Sequence, residues 1–207
     1  MKIVILCGGK GTRLAEETIN KPKPLVELNN KPILDYIMRH YYNYNFKNFI
    51  LPLGYKGELI KNFFLNYEYM SGDFNIDLKN KKKKLIDKFK IPNWNVSLVD
   101  TGQDTLTGGR LLRLKSLLSK DENFMLTYGD GLCDVNLKKL LKFHIDNKKV
   151  ATVTAVRPMS RFGNIKFKGN NVTSFKEKIQ QSEGWINGGF FIFNKKIFNY
   201  LKDDETI

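Results

Sequence analysis

The amino-terminal stretch KIVILCGGKGTRLAEETINKPKP, residues 2–24, combines an apolar run, clustered glycines and positive charges. Residues 3–6 are apolar, as in a strand that is buried on both faces of a parallel sheet. Three glycines within residues 8–11 then let the backbone turn and present amide groups with no Cβ in the way. Such amides form a nest for anions, and Lys10 and Arg13 add positive charge. The stretch predicts a phosphate-binding loop, and the simpler alternative is an ordinary turn after a strand.

Lys23 lies between Pro22 and Pro24, whose fixed φ angles stiffen the segment that carries its ammonium group. The glycine spacing before it matches neither the G-x-G-x-x-G dinucleotide fingerprint nor the G-x-x-x-x-G-K-[ST] pattern of P-loop proteins. The loop and Lys23 together therefore predict a phosphorylated ligand, held by neither of those two schemes.

Asp130 is the second candidate for chemistry, because it follows the apolar run 124–128 and stands between Gly129 and Gly131. Ligands of open α/β sheets bind at the carboxyl ends of the strands, where this carboxylate is expected. One interpretation is a magnesium ligand, and an equally weighted one is an aspartate that forms a turn.

A third candidate is the stretch TLTGGRLLRLKSLL, in which Thr107 and Gly108 lead from a strand into a helix. Amides at the start of a helix favour an anion or the polar edge of a base. On pattern alone, a simple helix start without a ligand is as good an interpretation.

The elements that must position these residues alternate along the chain. Apolar runs predict strands at 3–6, 49–54, 96–99, 124–128 and 150–156, although Pro52 weakens the second. The block 184–194 predicts a last strand, which Trp185, Asn187 and two glycines precede. Amphipathic spacing predicts helices over 33–44, 58–69, 107–118 and 137–144, and period-two alternation around 169–171 predicts a hairpin. This order indicates one α/β domain over residues 1–207, with a mainly parallel sheet, helices on both faces and an antiparallel hairpin insert.

The composition is strongly basic, with 35 Lys and Arg against 21 Asp and Glu, a net charge of +14. This balance suggests nucleic acid, but 21 asparagines accompany the lysines, which indicates compositional bias. The lysine run at 79–90 lacks interleaved aromatics, so a solvated hairpin or loop is the favoured interpretation. We therefore expect anionic small molecules as partners and no nucleic acid.

Cys7 and Cys133 form no paired motif, which suits a reducing compartment. No apolar run has the length of a membrane span or of a signal-peptide core, so we expect a soluble, cytoplasmic protein with no membrane partner. His40 and His144 have no patterned catalytic partner, and we expect both to be structural.

Several of these motifs occur together in one family. GGKGTRL followed by KPKPLVELNNKPIL resembles the signature of the sugar-phosphate nucleotidyltransferases. The blocks LVDTGQDTLTGGRL, FMLTYGDG, RFG, SFKEK and GWINGGFF are most similar to the glucose-1-phosphate cytidylyltransferase branch, and the likeness covers essentially the whole chain. The resemblance implies a Rossmann-like mixed sheet and a reaction that joins CTP to a sugar 1-phosphate or another phosphorylated acceptor, releasing pyrophosphate. The product would be a CDP-activated precursor for surface polysaccharide.

The resemblance also implies roles for individual residues. Arg13 would stabilise the departing pyrophosphate, Lys23 would hold the α-phosphate and the acceptor phosphate together, and Asp130 would ligate Mg²⁺. The implied nucleotide-binding residues are Leu6, Cys7, Gly8, Gly9, Lys10, Gly11, Thr12, Arg13, Thr105, Thr107, Gly108, Arg110 and Gly129. The implied acceptor-binding residues are Glu177, Lys178, Asn187 and Gly188.

Two departures from the family pattern leave alternatives open. Ile179 stands where the family has proline after its E-K pair, which leaves the identity of the phosphorylated acceptor open. The family also supplies a second metal-ligating aspartate from a segment that lies beyond position 207 of this sequence. A nucleotide-binding module without turnover is therefore the alternative to an enzyme, and homo-oligomerisation is an open question.

Overall fold

The structure is a computed structural model that describes residues 1–9, 20–86, 91–158, 163–176 and 184–206. Its strands are β1 (Lys2–Leu6), β2 (Glu27–Leu28), β3 (Lys31–Pro32), β4 (Asn48–Leu53), β5 (Phe74–Asp77), β6 (Lys82–Leu85), β7 (Asn95–Asp100), β8 (Asn123–Tyr128), β9 (Ala151–Val156), β10 (Asn164–Lys168), β11 (Asn171–Lys176) and β12 (Ile186–Asn194). Its α-helices are α1 (Ile33–Tyr42), α2 (Gly57–Leu65), α3 (Tyr67–Met70), α4 (Thr107–Arg113), α5 (Lys115–Leu118) and α6 (Leu137–Asn147), and short 3₁₀ helices cover Lys23–Leu25 and Lys195–Asn199.

The central sheet has six strands in the order β7-β4-β1-β8-β12-β9. β7, β4, β1 and β8 pair in parallel, and β12 enters between β8 and β9 in the antiparallel direction. The prediction of a mixed, mostly parallel sheet with helices is therefore confirmed. The separate hairpin β10–β11 is the antiparallel insert, and β5–β6 forms a second hairpin that carries residues 82–85 of the lysine run.

Both faces of the sheet are covered, which is why the central strands are continuous apolar runs. Alternate residues of β1 point to opposite faces: Ile3 and Ile5 pack with helices α1, α2 and α6, and Val4 packs with α4, α5 and the second 3₁₀ helix. Ile3, Val4 and Ile5 are completely buried. The polar candidate residues lie outside this core, at the ends of the strands.

Pro52 lies in an inner strand, which its lack of a backbone donor disfavours. The β1–β4 ladder pairs residues up to Val4 and Ile50 and resumes only at the Cys7–Leu53 bridge. The interruption coincides with Pro52, whose carbonyl still accepts a hydrogen bond from the Cys7 amide at 3.2 Å.

Among the described residues, no helix combines the length and the apolar character needed to cross a membrane.

The predicted helix over 58–69 is two helices in the structure, α2 and α3. They meet at Asn66, whose ψ of 6° departs from helical geometry. Its side-chain amide donates to the Asn62 carbonyl at 3.0 Å, beside the Asn66 backbone amide, which donates to the same oxygen at 3.1 Å.

Candidate active site

A cavity of about 270 Å³ opens at the carboxyl ends of β1 and β8, beside the start of α4. The described residues that line it are Leu6, Cys7, Gly8, Gly9, Lys23, Pro24, Thr105, Leu106, Thr107, Arg110, Tyr128, Gly129 and Asp130. Two parts of the amino-terminal stretch, the glycine loop at 8–9 and the P-K-P element at 22–24, therefore meet the distant G-D-G turn at 129–131. The loop before α4 closes the cavity on a further side.

Lys23 and Asp130 face each other across this cavity and form an ion pair between Nζ and Oδ2. Their side chains are only partly exposed, at 23% and 29%. Their backbones approach closely because residue 129 is glycine: a Cβ there would lie 2.6 Å from the Leu6 carbonyl oxygen and 2.8 Å from the Pro24 ring. The glycine before Asp130 is thus a steric requirement of the site.

Arg110 lies at the base of the cavity and is 5% exposed. Its Nη1 donates to the carbonyl oxygen of Leu53 at 3.1 Å, to Thr101 Oγ1 at 2.9 Å and to the carbonyl oxygen of Gly102 at 2.6 Å. Its Nη2 donates to the carbonyl oxygens of Gly8 at 3.0 Å and Gln103 at 3.1 Å. The guanidinium therefore ties the glycine loop to the ends of β4 and β7.

The packing around this guanidinium explains why residues 8 and 54 are glycine and why the pKa of Arg110 is lowered. A Cβ on Gly8 would lie 2.2 Å from Nη1 of Arg110, and a Cβ on Gly54 would lie 2.5 Å from the same atom. Burial lowers the pKa of Arg110, the neighbouring charge of Arg113 lowers it further, and Asp100 and Asp104 oppose the shift. Arginine remains protonated under such shifts, so the loop is held by a permanent cation.

The start of α4 is occupied by backbone from the end of the described chain. The amide of Leu106 donates to the Asp204 carbonyl at 2.8 Å, and the amides of Gly108 and Gly109 donate to the Thr206 carbonyl at 2.8 and 3.1 Å. Gly108 lies against Thr206 and outside the described lining of the cavity. Thr105 and Thr107 do line it, so the part that is open to a ligand comprises the end of the loop and the first residue of α4.

Asn187 approaches the site through Tyr128, the last residue of β8. Its side-chain amide donates to the Tyr128 hydroxyl at 3.1 Å, and its Oδ1 accepts from the Gly189 amide at 2.8 Å. Gly189 has a φ of +82°, and the β9–β12 register shifts between Asn187 and Phe191. Gly188 approaches β9 so closely that a Cβ would lie 2.9 Å from the Thr154 carbonyl oxygen.

Six predicted site residues lie outside the described residues: Lys10, Gly11, Thr12, Arg13, Glu177 and Lys178. The cavity also contains Pro24, Leu106 and Tyr128, which sequence reasoning did not assign to the site. Tyr128 could have been found from its position directly before the G-D-G turn, because the last residue of a parallel strand faces the ligand edge.

Cys7, His40 and His144 have surroundings that suit a structural role. Burial, with a smaller effect from Asp130, raises the pKa of the Cys7 thiol, so the thiol is protonated at neutral pH. His144 is buried and contacts Thr152 Oγ1 at 2.8 Å and Asn123 Oδ1 at 3.2 Å, and His40 contacts the Val135 carbonyl at 3.0 Å. Both histidines are packing residues, as the sequence predicts.

Asp130 is the carboxylate among the described lining residues, and within the described parts of the chain no group of three or more His, Cys, Asp or Glu forms a metal cage. Magnesium in phosphate-transfer sites is commonly held by one or two carboxylates together with substrate phosphates and water. A single carboxylate beside a phosphate-binding loop suits that mode, so the donor set fits a metal that arrives with a phosphorylated ligand.

Glycine amides, a lysine and an aspartate at the carboxyl edge of a mostly parallel sheet define an α/β protein that handles phosphate groups. The chain belongs to the nucleotidyl transferase family, which it matches over residues 2–206.

Two relatives and one solved structure show the range within this family. The chain is 44% identical over 206 residues to the glucose-1-phosphate cytidylyltransferase of Salmonella typhimurium, covering all of this chain and 80% of that protein. It is 33% identical over 202 residues to the D-glycero-alpha-D-manno-heptose 1-phosphate guanylyltransferase of Aneurinibacillus thermoaerophilus, covering 96% and 76%. The crystal structure of HddC from Yersinia pseudotuberculosis complexed with GMP-PN superposes with a TM-score of 0.69 at 25% identity, covering 99% and 81%.

Proposed function

We propose that this protein is a cytidylyltransferase that joins CTP to a sugar 1-phosphate, with glucose 1-phosphate as the first candidate, giving a CDP-sugar and pyrophosphate. The observation that carries the proposal is the single cavity in which the glycine loop, Lys23, Asp130 and the Thr105–Arg110 stretch meet. The 44% identity to a glucose-1-phosphate cytidylyltransferase supports the choice of nucleotide and acceptor.

In the proposed reaction, a phosphate oxygen of the acceptor attacks the α-phosphorus of CTP. The new P–O bond forms as the bond to the β-phosphate oxygen breaks, and pyrophosphate leaves with that electron pair. Such a transfer depends on positioning and charge neutralisation, and it needs no covalent enzyme intermediate. This agrees with the protonated, buried thiol of Cys7, which is a poor nucleophile.

Each residue has a defined task in this scheme. The amides of Gly8 and Gly9 would face the triphosphate, and the family resemblance implies that Arg13 would stabilise the departing pyrophosphate. Lys23 neutralises the α-phosphate and the incoming acceptor phosphate. Asp130 would hold Mg²⁺, which when bound supplies Lewis-acid polarisation of phosphate oxygens.

The base and the sugar occupy opposite sides of this phosphate region. Thr105 and Thr107 offer hydroxyl groups and main-chain atoms to cytosine, which presents acceptors at O2 and N3 and a donor at N4. Arg110 holds that loop in place through its backbone contacts. Asn187 and Gly188, with Glu177 and Lys178 by resemblance, would contact the acceptor.

The setting that we propose is the cytoplasm, where reducing conditions keep the free thiols of Cys7 and Cys133 intact. CTP and the phosphorylated acceptor are the proposed partners, and the basic charge of the chain would attract both. The CDP-sugar would serve as an activated precursor for surface polysaccharide.

A pyrophosphate-release assay tests the proposal. The protein is incubated with Mg²⁺, one of CTP, UTP, dTTP, ATP or GTP, and one of several sugar 1-phosphates. We expect the largest release with CTP and glucose 1-phosphate, loss of release in Lys23→Met, and retention in Lys21→Met, whose ammonium pairs with Glu27 at 2.8 Å. CTP binding without release from any pair would favour a nucleotide-binding module instead.

A further inference from the structure

The carboxylate that is proposed to hold the metal already has a cation in contact with it. Nζ of Lys23 is paired with Oδ2 of Asp130, and both side chains line the same cavity. Lys23 is also the residue proposed to contact the transferred phosphates. One ammonium group is therefore assigned to the phosphates and is also paired with the carboxylate.

We propose that Lys23 serves as the counter-ion of Asp130 until a divalent cation binds there, and that it then leaves this carboxylate. The inference rests on the proposed function in one respect, the assignment of the metal to Asp130. It adds that metal binding and the release of Lys23 toward the phosphates are a single exchange.

Charge is the first reason for expecting exchange. Mg²⁺ binds oxygen at about 2.1 Å, so a metal on Asp130 would lie within a few ångströms of an ammonium that stayed in contact. Two cations at that distance repel each other, and partial burial of the pair limits screening by water and salt. Once the metal neutralises the carboxylate, the ammonium loses its partner, and the nearest new anions are the phosphates of the ligand.

Local structure is the second reason, because it fixes the backbones and leaves one side chain able to move. The Leu25 amide donates to the Pro22 carbonyl at 2.8 Å and the Val26 amide to the Lys23 carbonyl at 3.1 Å. The Gly129 amide donates to the Leu6 carbonyl at 3.0 Å, directly before Asp130. The flexible four-carbon stem of Lys23 can therefore swing without a backbone change.

This arrangement has a consequence for the order of binding. In the absence of nucleotide, Lys23 competes with the metal for Asp130 and lowers the metal affinity of the protein. A triphosphate removes that competition, because it gives the ammonium another anion and gives the metal further oxygen ligands. Metal and nucleotide should therefore bind cooperatively, and Lys23 should carry part of that coupling.

Mn²⁺ binding without nucleotide, followed by electron paramagnetic resonance, tests the exchange. Lys23→Met removes the competing charge and keeps an unbranched side chain. Lys21→Met is the matched control, since it removes an equal charge two residues away, where Lys21 pairs with Glu27. Asp130→Asn, made in the Lys23→Met background, reports whether the bound ion is at this carboxylate.

We expect Lys23→Met to bind Mn²⁺ about five-fold more tightly than the wild type, the upper range for a partly exposed ion pair. Lys21→Met should match the wild type, and Asp130→Asn should abolish the gain. Equal affinity of Lys23→Met and Lys21→Met, including absence of binding in both across the millimolar range, would overturn the proposal. So would a gain that survives Asp130→Asn.

A second measurement uses the unaltered protein. Acylation of lysine side chains, quantified at each residue by mass spectrometry, should increase at Lys23 when Mg²⁺ is added and stay constant at Lys21. No change at Lys23 would contradict exchange. Because neither experiment contains CTP, both can succeed while the pyrophosphate-release assay fails, and the reverse is equally observable.

Discussion

Replacing Arg110 with methionine should loosen the whole nucleotide side of the cavity. The substitution removes every guanidinium donor while it keeps an unbranched side chain in the buried space. Two of the oxygens that lose Arg110 keep another donor: Leu53 accepts from the Thr101 amide at 2.9 Å, and Gly8 accepts from the Tyr55 amide at 3.2 Å. The loss should therefore come mainly from the loop that follows β7.

The magnitude follows from the carbonyl oxygens of Gly102 and Gln103, whose bonds to Arg110 are 2.6 and 3.1 Å long. Gly102 is partly exposed and Gln103 is exposed, so water can reach both oxygens once the guanidinium is gone. The net contribution of one hydrogen bond is about 0.5–1.5 kcal/mol, so the loss of two costs about 1–3 kcal/mol. For a chain of this size, that corresponds to a decrease in Tm of about 2–12 °C.

Thermal unfolding followed by circular dichroism measures this decrease, and calorimetry measures CTP affinity in the same samples. We expect both to fall in Arg110→Met, because the loop that Arg110 fixes also lines the cavity. Arg113→Met is the control: Arg113 is largely exposed and pairs with Asp204, so its loss should cost less. An Arg110→Met variant as stable as Arg113→Met would refute the assignment of Arg110 as the residue that holds the loop.

Three further predictions concern the opposite side of the cavity and the distant histidine. Gly129→Ala should still fold but should release pyrophosphate at least ten-fold more slowly, because its Cβ would collide with the Pro24 ring. Overpacking of this kind costs about 1–3 kcal/mol. An active Gly129→Ala enzyme would show that the close approach is unnecessary. Tyr128→Phe removes the hydroxyl that accepts from Asn187 and should raise KM for the acceptor about five-fold, the value of a neutral hydrogen bond, with KM for CTP unchanged; an effect on CTP alone would contradict this. Burial lowers the pKa of His144 below its ordinary value of 6.5, so the folded state disfavours its protonation, and wild-type stability should fall as pH decreases from 7 through 6.5 and below. His144→Gln should weaken that dependence in denaturant titrations at each pH, and an unchanged dependence would assign it to other groups.

Local pattern was sufficient to predict the elements that contribute most to the site. The apolar run of β1 and the G-D-G turn after β8 are each contiguous in sequence, and parallel strands bring their carboxyl ends to one edge. The ion pair of Lys23 with Asp130 additionally requires that the P-K-P element packs against Gly129, a contact that strand order alone does not predict. The sequence pattern identifies both residues as site candidates, but no local pattern indicates that they contact each other.

Features that depend on distant backbone could not be predicted. The pattern around Gly108 predicts a helix start with free amides, yet the Gly108 amide donates to the carbonyl oxygen of Thr206, about a hundred residues later in the sequence. The pattern around Arg110 predicts a residue that contacts a base, yet its donors are occupied by four carbonyl oxygens, which belong to the glycine loop, the end of β4 and the loop after β7. Polar satisfaction of this kind is a property of the assembled fold, because the partners become neighbours only after the sheet forms.

The proposed chemistry is tested most directly by identifying both products of one reaction. ³¹P nuclear magnetic resonance of the protein with CTP, glucose 1-phosphate and Mg²⁺ should show CDP-glucose and pyrophosphate rising in equal amounts, and neither should form with Lys23→Met. Pyrophosphate accompanied by CMP would mean that water, and not the acceptor phosphate, attacks the α-phosphorus. That result, or unchanged CTP in the presence of the wild-type protein, would contradict a cytidylyl transfer that Lys23 and Asp130 support.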